Sequence, residues 1–160
     1  WERFVRPASR GRLRFGDFPD TSLPAEYARL KQFFAQVARS SSPDLVFCHT
    51  RGDAHQDHRM VNEMAWGAFR NHLVLEYEIP KWDGDLGIPN TYVPLDEDVL
   101  ATKIDALMAI YGSQRSKDWF TPDTFRSLAR IRGIECRAPS GHAEAFTARK
   151  INLSWTGERP

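Results

Sequence analysis

Residues 47–61 read FCHTRGDAHQDHRMV, which places His49, His55 and His58, three of the chain's five histidines, together with Asp53 and Asp57 directly after an apolar run. Imidazoles and carboxylates are the side chains that bind divalent metals and carry protons near neutral pH. If a helix starts near Gln56, His55 and His58 stand three residues apart on one side of its first turn and reach one small site. A neutral imidazole is a good zinc ligand, and a catalytic zinc takes three protein ligands with a fourth position left for water. Asp57, between the two histidines, is a candidate to orient one imidazole, as carboxylates steer metal-bound histidines elsewhere. The plainer alternative is a loop whose histidines cap the helix and face solvent. Asp53 reads as a helix N-cap.

Such a constellation acts only if the surrounding elements hold it. DLVFCH is short and almost continuously apolar, the pattern of a strand covered on both faces, so the histidine loop hangs from that strand's carboxyl end. After the loop, Met60, Val61, Met64, Ala65, Ala68 and Phe69 mark one face of a helix, and HLVLEYEI reads as the next strand. Upstream, RLRFGDF alternates Leu13 and Phe15 with polar neighbours, a short strand ending at the turn PDTSLP. A helix follows, capped by Thr21 or Ser22, with Pro24 in its first turn and Tyr27, Leu30, Phe33, Phe34 and Val37 at helical spacing until SSSP stops it.

Downstream, the glycines and prolines between Pro80 and Pro94 make a long loop with some extended pieces. Asp96, Glu97 and Asp98 open a helix that carries Leu100, Ile104, Leu107, Met108 and Tyr111 and closes at Gly112. TPDTF starts another helix, ended by Gly133, and EAFTARKINL reads as a final strand. Strands alternating with helices predict a three-layer, Rossmann-like α/β fold: a mainly parallel sheet with helices on both faces. Ligands of such sheets bind in the crevice at the strands' carboxyl ends.

With 160 residues, 41% of them hydrophobic, the chain can bury one sizeable core. Lys+Arg 22 against Asp+Glu 21, interspersed, gives a formal charge of +1, so no field is set up to hold a phosphate backbone and nucleic acid is not an expected partner. The apolar runs are far shorter than the roughly 20 residues a membrane span needs. Two cysteines, Cys48 and Cys136, fit a reducing compartment, and the cytoplasm is the expected location. The opening Trp1, followed by ERFVRPASRGRLRF, looks like the middle of a longer chain.

PDLVFCHTRGDAHQDHRMV resembles the second signature of the LmbE-like (PIG-L) zinc-dependent de-N-acetylases, an HxDH element after a strand that begins with Pro-Asp. GDFPDTSLP upstream and GHAEAF near the end, similar to a Glu-Ala-Phe element on a late strand of that family, support the resemblance. It implies that His58 is a zinc ligand, that His55 faces the substrate carbonyl, and that Asp57 holds the His55 imidazole. The implied reaction is metal-assisted removal of acetyl from an N-acetylated sugar of the N-acetylglucosamine type, or from its conjugate.

The family's other signature, a histidine-proline-aspartate-aspartate run, supplies two more metal ligands and the general base. Pro19-Asp20, Pro43-Asp44 and Pro122-Asp123 are the only Pro-Asp pairs here, and none follows a histidine. The expectation is therefore a single deacetylase domain over 1–160 that lacks its N-terminal strand and helix. Two of three Zn²⁺ ligands then lie outside the chain, and these residues alone are inactive.

Further candidates for substrate binding are Arg51, for a hydroxyl or phosphate, Trp82, as a platform for a sugar ring, and His142, from the final strand. Their plain alternatives are a solvated arginine, a packed indole and a structural histidine. RGD at 51–53 matches an adhesion tripeptide by chance, and DGD at 83–85 reads as a turn. The expected partner is a small-molecule glycoconjugate, with an oligomer compatible. The competing function is a metal-free carbohydrate-binding or pseudoenzyme domain of the same fold.

Overall fold

The structure, a computed structural model, describes residues 13–152. Its strands are β1 (Leu45–His49), β2 (Leu73–Tyr77), β3 (Thr91–Pro94) and β4 (Ala143–Ala148). Its helices are α1 (Tyr27–Arg39), α2 (Gln56–Ala68), α3 (Glu97–Ile110) and α4 (Pro122–Glu135), with 3-10 turns at Leu23–Glu26 and Gly112–Gln114. The predicted strand at RLRFGDF is irregular from Leu13 onward, and Phe15 is exposed. Two alternating apolar residues do not make a strand without a partner ladder.

The four strands form one sheet in the order β1-β2-β4-β3. β1 and β2 are parallel, with Leu45 opposite Leu73 and His49 opposite Tyr77. β4 runs antiparallel to both β2 and β3. The α/β class expected from the sequence is the one observed, but the sheet is mixed rather than mainly parallel. One helix between β1 and β2 returns the chain once and makes them parallel. Two helices, α3 and α4, separate β3 from β4, so the chain re-enters the sheet at the end it left.

On one face, Val46 and Cys48 of β1 and Val74 of β2 pack with Ala65 of α2, Phe69 just past it, and Phe34 and Val37 of α1. Along β4, Ala143 and Ala145 are small and buried, which lets α4 lie close to the strand. A Cβ on Gly133 of α4 would stand 2.2 Å from the carbonyl oxygen of Gly141, so glycine is required at this crossing. A second cluster joins Leu95, Leu100, Ile104, Phe120, Phe125 and Ala129, locking α3 onto α4.

The other face is open across β1 and β2. Leu45, Phe47 and Leu73 are 37%, 54% and 40% exposed, and the Phe47 ring meets Phe146 of β4, across β2, at 5.4 Å between centroids. Helices on both faces, as predicted, are therefore not found over these two strands among the described residues. There too β1 pairs only with β2, which leaves its other edge free. No helix of the described residues is long and apolar enough to cross a membrane.

Candidate functional site

The loop from Thr50 to His55 leaves the carboxyl end of β1 and turns straight into α2. The Thr50 N–H donates to the Tyr77 carbonyl at 3.1 Å, which extends the β1–β2 ladder by one step, and the Asp53 N–H closes a turn on the Thr50 carbonyl at 3.2 Å. His55, not Asp53, is the N-cap: its Nδ1 accepts from the Asp57 N–H at 3.2 Å. The Arg59 guanidinium donates to the Asp53 and Ala54 carbonyls at 2.8 and 2.5 Å and fastens the loop to the first turn of α2.

Asp53 is the hub. Its carboxylate is 1% exposed and accepts from the His58 Nδ1 at 2.9 Å, the His55 N–H at 2.8 Å and the Lys81 ammonium at 3.2 Å. Burial works to raise its pKa, but the bonds from His58, His55 and Lys81 outweigh burial and hold the group below the ordinary carboxylate range. Lys81 also pairs with Asp85, whose carboxylate accepts from the Ala54 N–H at 2.6 Å. The 81–85 segment thereby clamps the histidine loop from the side of the sheet.

These contacts fix the ring protons. The His58 Nδ1–H donates to a carboxylate, which in the neutral ring leaves the lone pair on Nε2. The His55 Nδ1 accepts a backbone N–H, so its neutral ring carries the proton on Nε2 and can donate from there. The two rings stack with centroids 4.6 Å apart, one offering a ligand atom and the other a donor, and both line one crevice of about 790 Å³. His49 stacks on the other side of His58 at 4.1 Å, and its Nε2 meets the Tyr77 hydroxyl at 3.1 Å. Burial, and next the neighbouring His58, pull His49 down to about 4, so it is neutral at physiological pH. Burial pushes the Tyr77 hydroxyl up to about 12.

The crevice lies at the carboxyl ends of β1 and β2 and the start of β4, as an α/β sheet requires. Its far wall comes from α3 and α4, through Lys103, which pairs with Glu144 of β4, and through Leu107, Phe125 and Arg132.

The other candidates fall elsewhere. The Asp57 carboxylate does not touch the His55 ring but accepts the Leu23 N–H at 3.0 Å, tying α2 to the 3-10 turn. At the second residue of the helix the Asp57 side chain thus reaches a backbone donor of the preceding segment, while its own N–H meets the His55 Nδ1. Arg51, Trp82 and His142 do not line the histidine crevice. Arg51 lines a separate cavity behind the loop. The Trp82 indole is 65% exposed and donates to Asp118 at 2.7 Å, and the His142 ring stands 3.7 Å from Glu97.

Sequence reasoning took Asp53 for a cap and missed Lys81. Asp53 precedes His58 by five residues, a spacing at which a loop carboxylate folds back onto the first helical turn. No local signal pointed to Lys81. Among the described residues no group of three or more His, Cys, Asp or Glu side chains is placed to hold a metal ion. His58 fits one ligand position of a zinc site, because a carboxylate on Nδ1 leaves Nε2 free and basic.

Residues 8–69 match the family described as PIG-L, GlcNAc-PI de-N-acetylase. The matched stretch ends just past α2 and includes the whole histidine loop. No curated protein sequence matches the chain. Among solved structures it is similar to N,N'-diacetylchitobiose deacetylase from Pyrococcus horikoshii, at 19% identity and a TM-score of 0.65, with 91% of this chain and 60% of that chain covered. It is also similar to GalB, the 4-carboxy-2-hydroxymuconate hydratase of Pseudomonas putida KT2440, at 17% identity, a TM-score of 0.57 and coverage of 88% and 65%. A third likeness is to the zinc-inhibited form of teicoplanin deacetylase Orf2, at 16% identity, a TM-score of 0.52 and coverage of 86% and 56%. At these identities the likeness establishes the shared fold, and this chain spans less than two thirds of the first of them. A fold that serves both deacetylases and a hydratase does not by itself name a reaction.

Proposed function

We propose that the chain is part of a metal-dependent amide hydrolase that removes acetyl from an N-acetylated sugar or sugar conjugate. The observation that carries this reading is the pair of opposite Nδ1 partners in one crevice, a carboxylate on His58 and a backbone N–H on His55, which give the neutral rings opposite tautomers. The match of residues 8–69 to a de-N-acetylase family agrees with it.

His58, held by Asp53, supplies one ligand to a divalent cation, zinc as the resemblance implies. Such a cation polarises an amide carbonyl and lowers the pKa of a bound water. His55 would donate from Nε2 to the acetyl oxygen and stabilise the charge that develops there as water adds to the carbonyl carbon; the general base would take the water's proton and return it to the amine as the C–N bond breaks. The crevice accommodates a sugar ring beside the histidines, with Tyr77 and His49 as one wall.

The remaining ligands and the general base come, in this reading, from a segment that adds to the free edge of β1. A parallel strand docked there would deliver its own carboxyl-end loop beside His58, and its following helix would cover Leu45, Phe47 and Leu73. The competing reading, a metal-free sugar-binding domain, draws on the lack of three clustered ligands among the described residues.

The test is amine release from an N-acetylglucosamine glycoside by the metal-loaded protein with those ligands present. Equal amounts of free amine and acetate are expected. His58→Ala should lose metal and turnover together, whereas His55→Ala should keep metal and lose turnover. Sugar binding without any amine release in the metal-loaded protein would favour the competing reading.

A further inference from the structure

Behind the histidine loop lies a second cavity, of about 510 Å³, that shares no lining residue with the crevice. Arg51, Arg59, Asn62, Glu63, Trp66 and Arg149 form most of its wall. Three guanidinium groups in one cavity call for an anion, and the way each is held shows how much of its charge is available.

Arg149 lies flat on the Trp66 indole, 4.0 Å from the ring centroid, and donates to Glu76 at 2.5 Å and to the Asn62 side-chain oxygen at 3.0 Å. Glu76 is buried and also accepts the Trp66 Nε1–H at 2.7 Å and the Arg51 N–H at 3.0 Å, so its charge is matched by Arg149 and these dipoles. Burial favours the neutral acid of Glu76, but Asn62, the Arg51 N–H, Trp66 and Arg149 together hold it below the ordinary range.

Arg59 spends its bonds on the Asp53 and Ala54 carbonyls, which fix the guanidinium without cancelling its charge. The Arg51 side chain has no ion-pair or hydrogen-bond partner among the described residues. Against these two uncancelled cations stands only Glu63, whose carboxylate accepts the Tyr27 hydroxyl at 3.2 Å. The cavity thus has two guanidiniums held in place, Arg59 and Arg149, a third, Arg51, unpaired among the described residues, and, with Glu63 and Glu76 counted, one net positive charge.

We propose that this cavity binds a phosphate group, of a free small molecule or of a lipid headgroup, with Arg51 and Arg59 as the forks that grip it and the Arg149–Trp66 stack as its wall. Planar guanidinium forks match phosphate oxygens bidentately. A tetrahedral phosphate presents oxygens to two forks approaching from different sides, whereas one fork already satisfies a carboxylate. Because Arg59 and Trp66 are positioned by bonds made in the absence of ligand, little ordering is left for binding to require.

The experiment follows the arginine Nε–H signals by NMR while the protein is titrated separately with inorganic phosphate, with glucose 6-phosphate, and with phosphatidylcholine vesicles with and without phosphatidylinositol. Saturable shifts of the Arg51, Arg59 and Arg149 signals are expected with at least one phosphate probe. Arg51→Gln, whose side chain holds nothing together, should weaken that binding roughly tenfold, the loss of one charge-assisted pair. Arg51→Lys should fall between, and Arg70→Gln, outside the cavity, should change nothing. Response to the soluble phosphates assigns a free ligand, and response only to phosphatidylinositol vesicles assigns a headgroup. Shifts that never saturate, that sodium chloride reproduces at equal ionic strength, or that are equal in Arg51→Gln overturn the proposal.

Discussion

Asp53→Asn is the perturbation that best isolates the logic of the histidine loop. The substitution keeps shape but removes the charge from a buried carboxylate that serves His58, His55 and Lys81 at once. A hydrogen bond to a charged group contributes about 1.5–3 kcal/mol, and stripping one partner from a buried ion pair costs about 3–5 kcal/mol. Lys81 retains Asp85 as a partner, so the hydrogen-bond range applies rather than that of a broken pair, about 2–3 kcal/mol at its upper end. In a domain of this size that lowers the melting temperature by about 5–10 °C.

The sign of the pH dependence follows from the direction of the Asp53 shift. Its folded pKa lies below its ordinary value of 3.8, so its contribution is complete above that value and is lost as pH falls through the folded one. The gap between wild type and Asp53→Asn should therefore narrow as the pH falls below about 4. Urea unfolding at a series of pH values measures it. Asp57→Asn, which disturbs one backbone bond to Leu23, is the comparison and should cost about 1 kcal/mol. If Asp53→Asn proves no more destabilising than Asp57→Asn, or its gap does not change with pH, the hub assignment is wrong.

Three further outcomes are expected. Gly133→Ala should destabilise by more than about 2 kcal/mol, because the new methyl meets backbone at 2.2 Å; Gly67→Ala, with open space around its Cβ, should stabilise α2 by about 0.5–1 kcal/mol, both read from urea midpoints. Cys48, buried and with its thiol pushed up to about 11, should resist a thiol reagent in the native state while half-buried Cys136 reacts; equal rates would contradict the packing around β1. In the metal-binding protein, Asp53→Asn should weaken metal affinity about 10–100-fold even though Asp53 is not a ligand, as competition with a chelator would show.

The strand-loop-helix frame around His55 and His58 was legible because a short apolar run, a polar loop and a 3.6-residue period are local signals. Their shared crevice followed from the i, i+3 spacing. The opposite tautomers were not legible, since they depend on what each Nδ1 meets. His55 is capped by its own helix, and His58 is met by a carboxylate that reads in sequence as the cap.

Lys81 lies 28 residues beyond Asp53 and is brought to it by the β1–β2 pairing. The antiparallel course of β4 was missed although both helices before it were legible, because Thr91–Pro94 reads as part of a long loop rather than as the strand that β4 returns to. Leu13 and Phe15 alternate like a strand, yet no partner ladder holds them in the described residues. Arg51, Trp82 and His142 have suitable side chains, but side-chain type carries no information about which cavity a residue faces.

The central claim is that His58 is one ligand of a metal site completed from the free edge of β1. Calorimetric titration of the 160-residue chain with Zn²⁺, alongside amine release from N-acetylglucosamine, tests it most directly. The account predicts weak binding that His58→Ala diminishes further, and no amine release, because a single imidazole cannot assemble the three-ligand site that catalytic zinc requires. Tight one-to-one binding with turnover would contradict it and would place the remaining ligands within these residues.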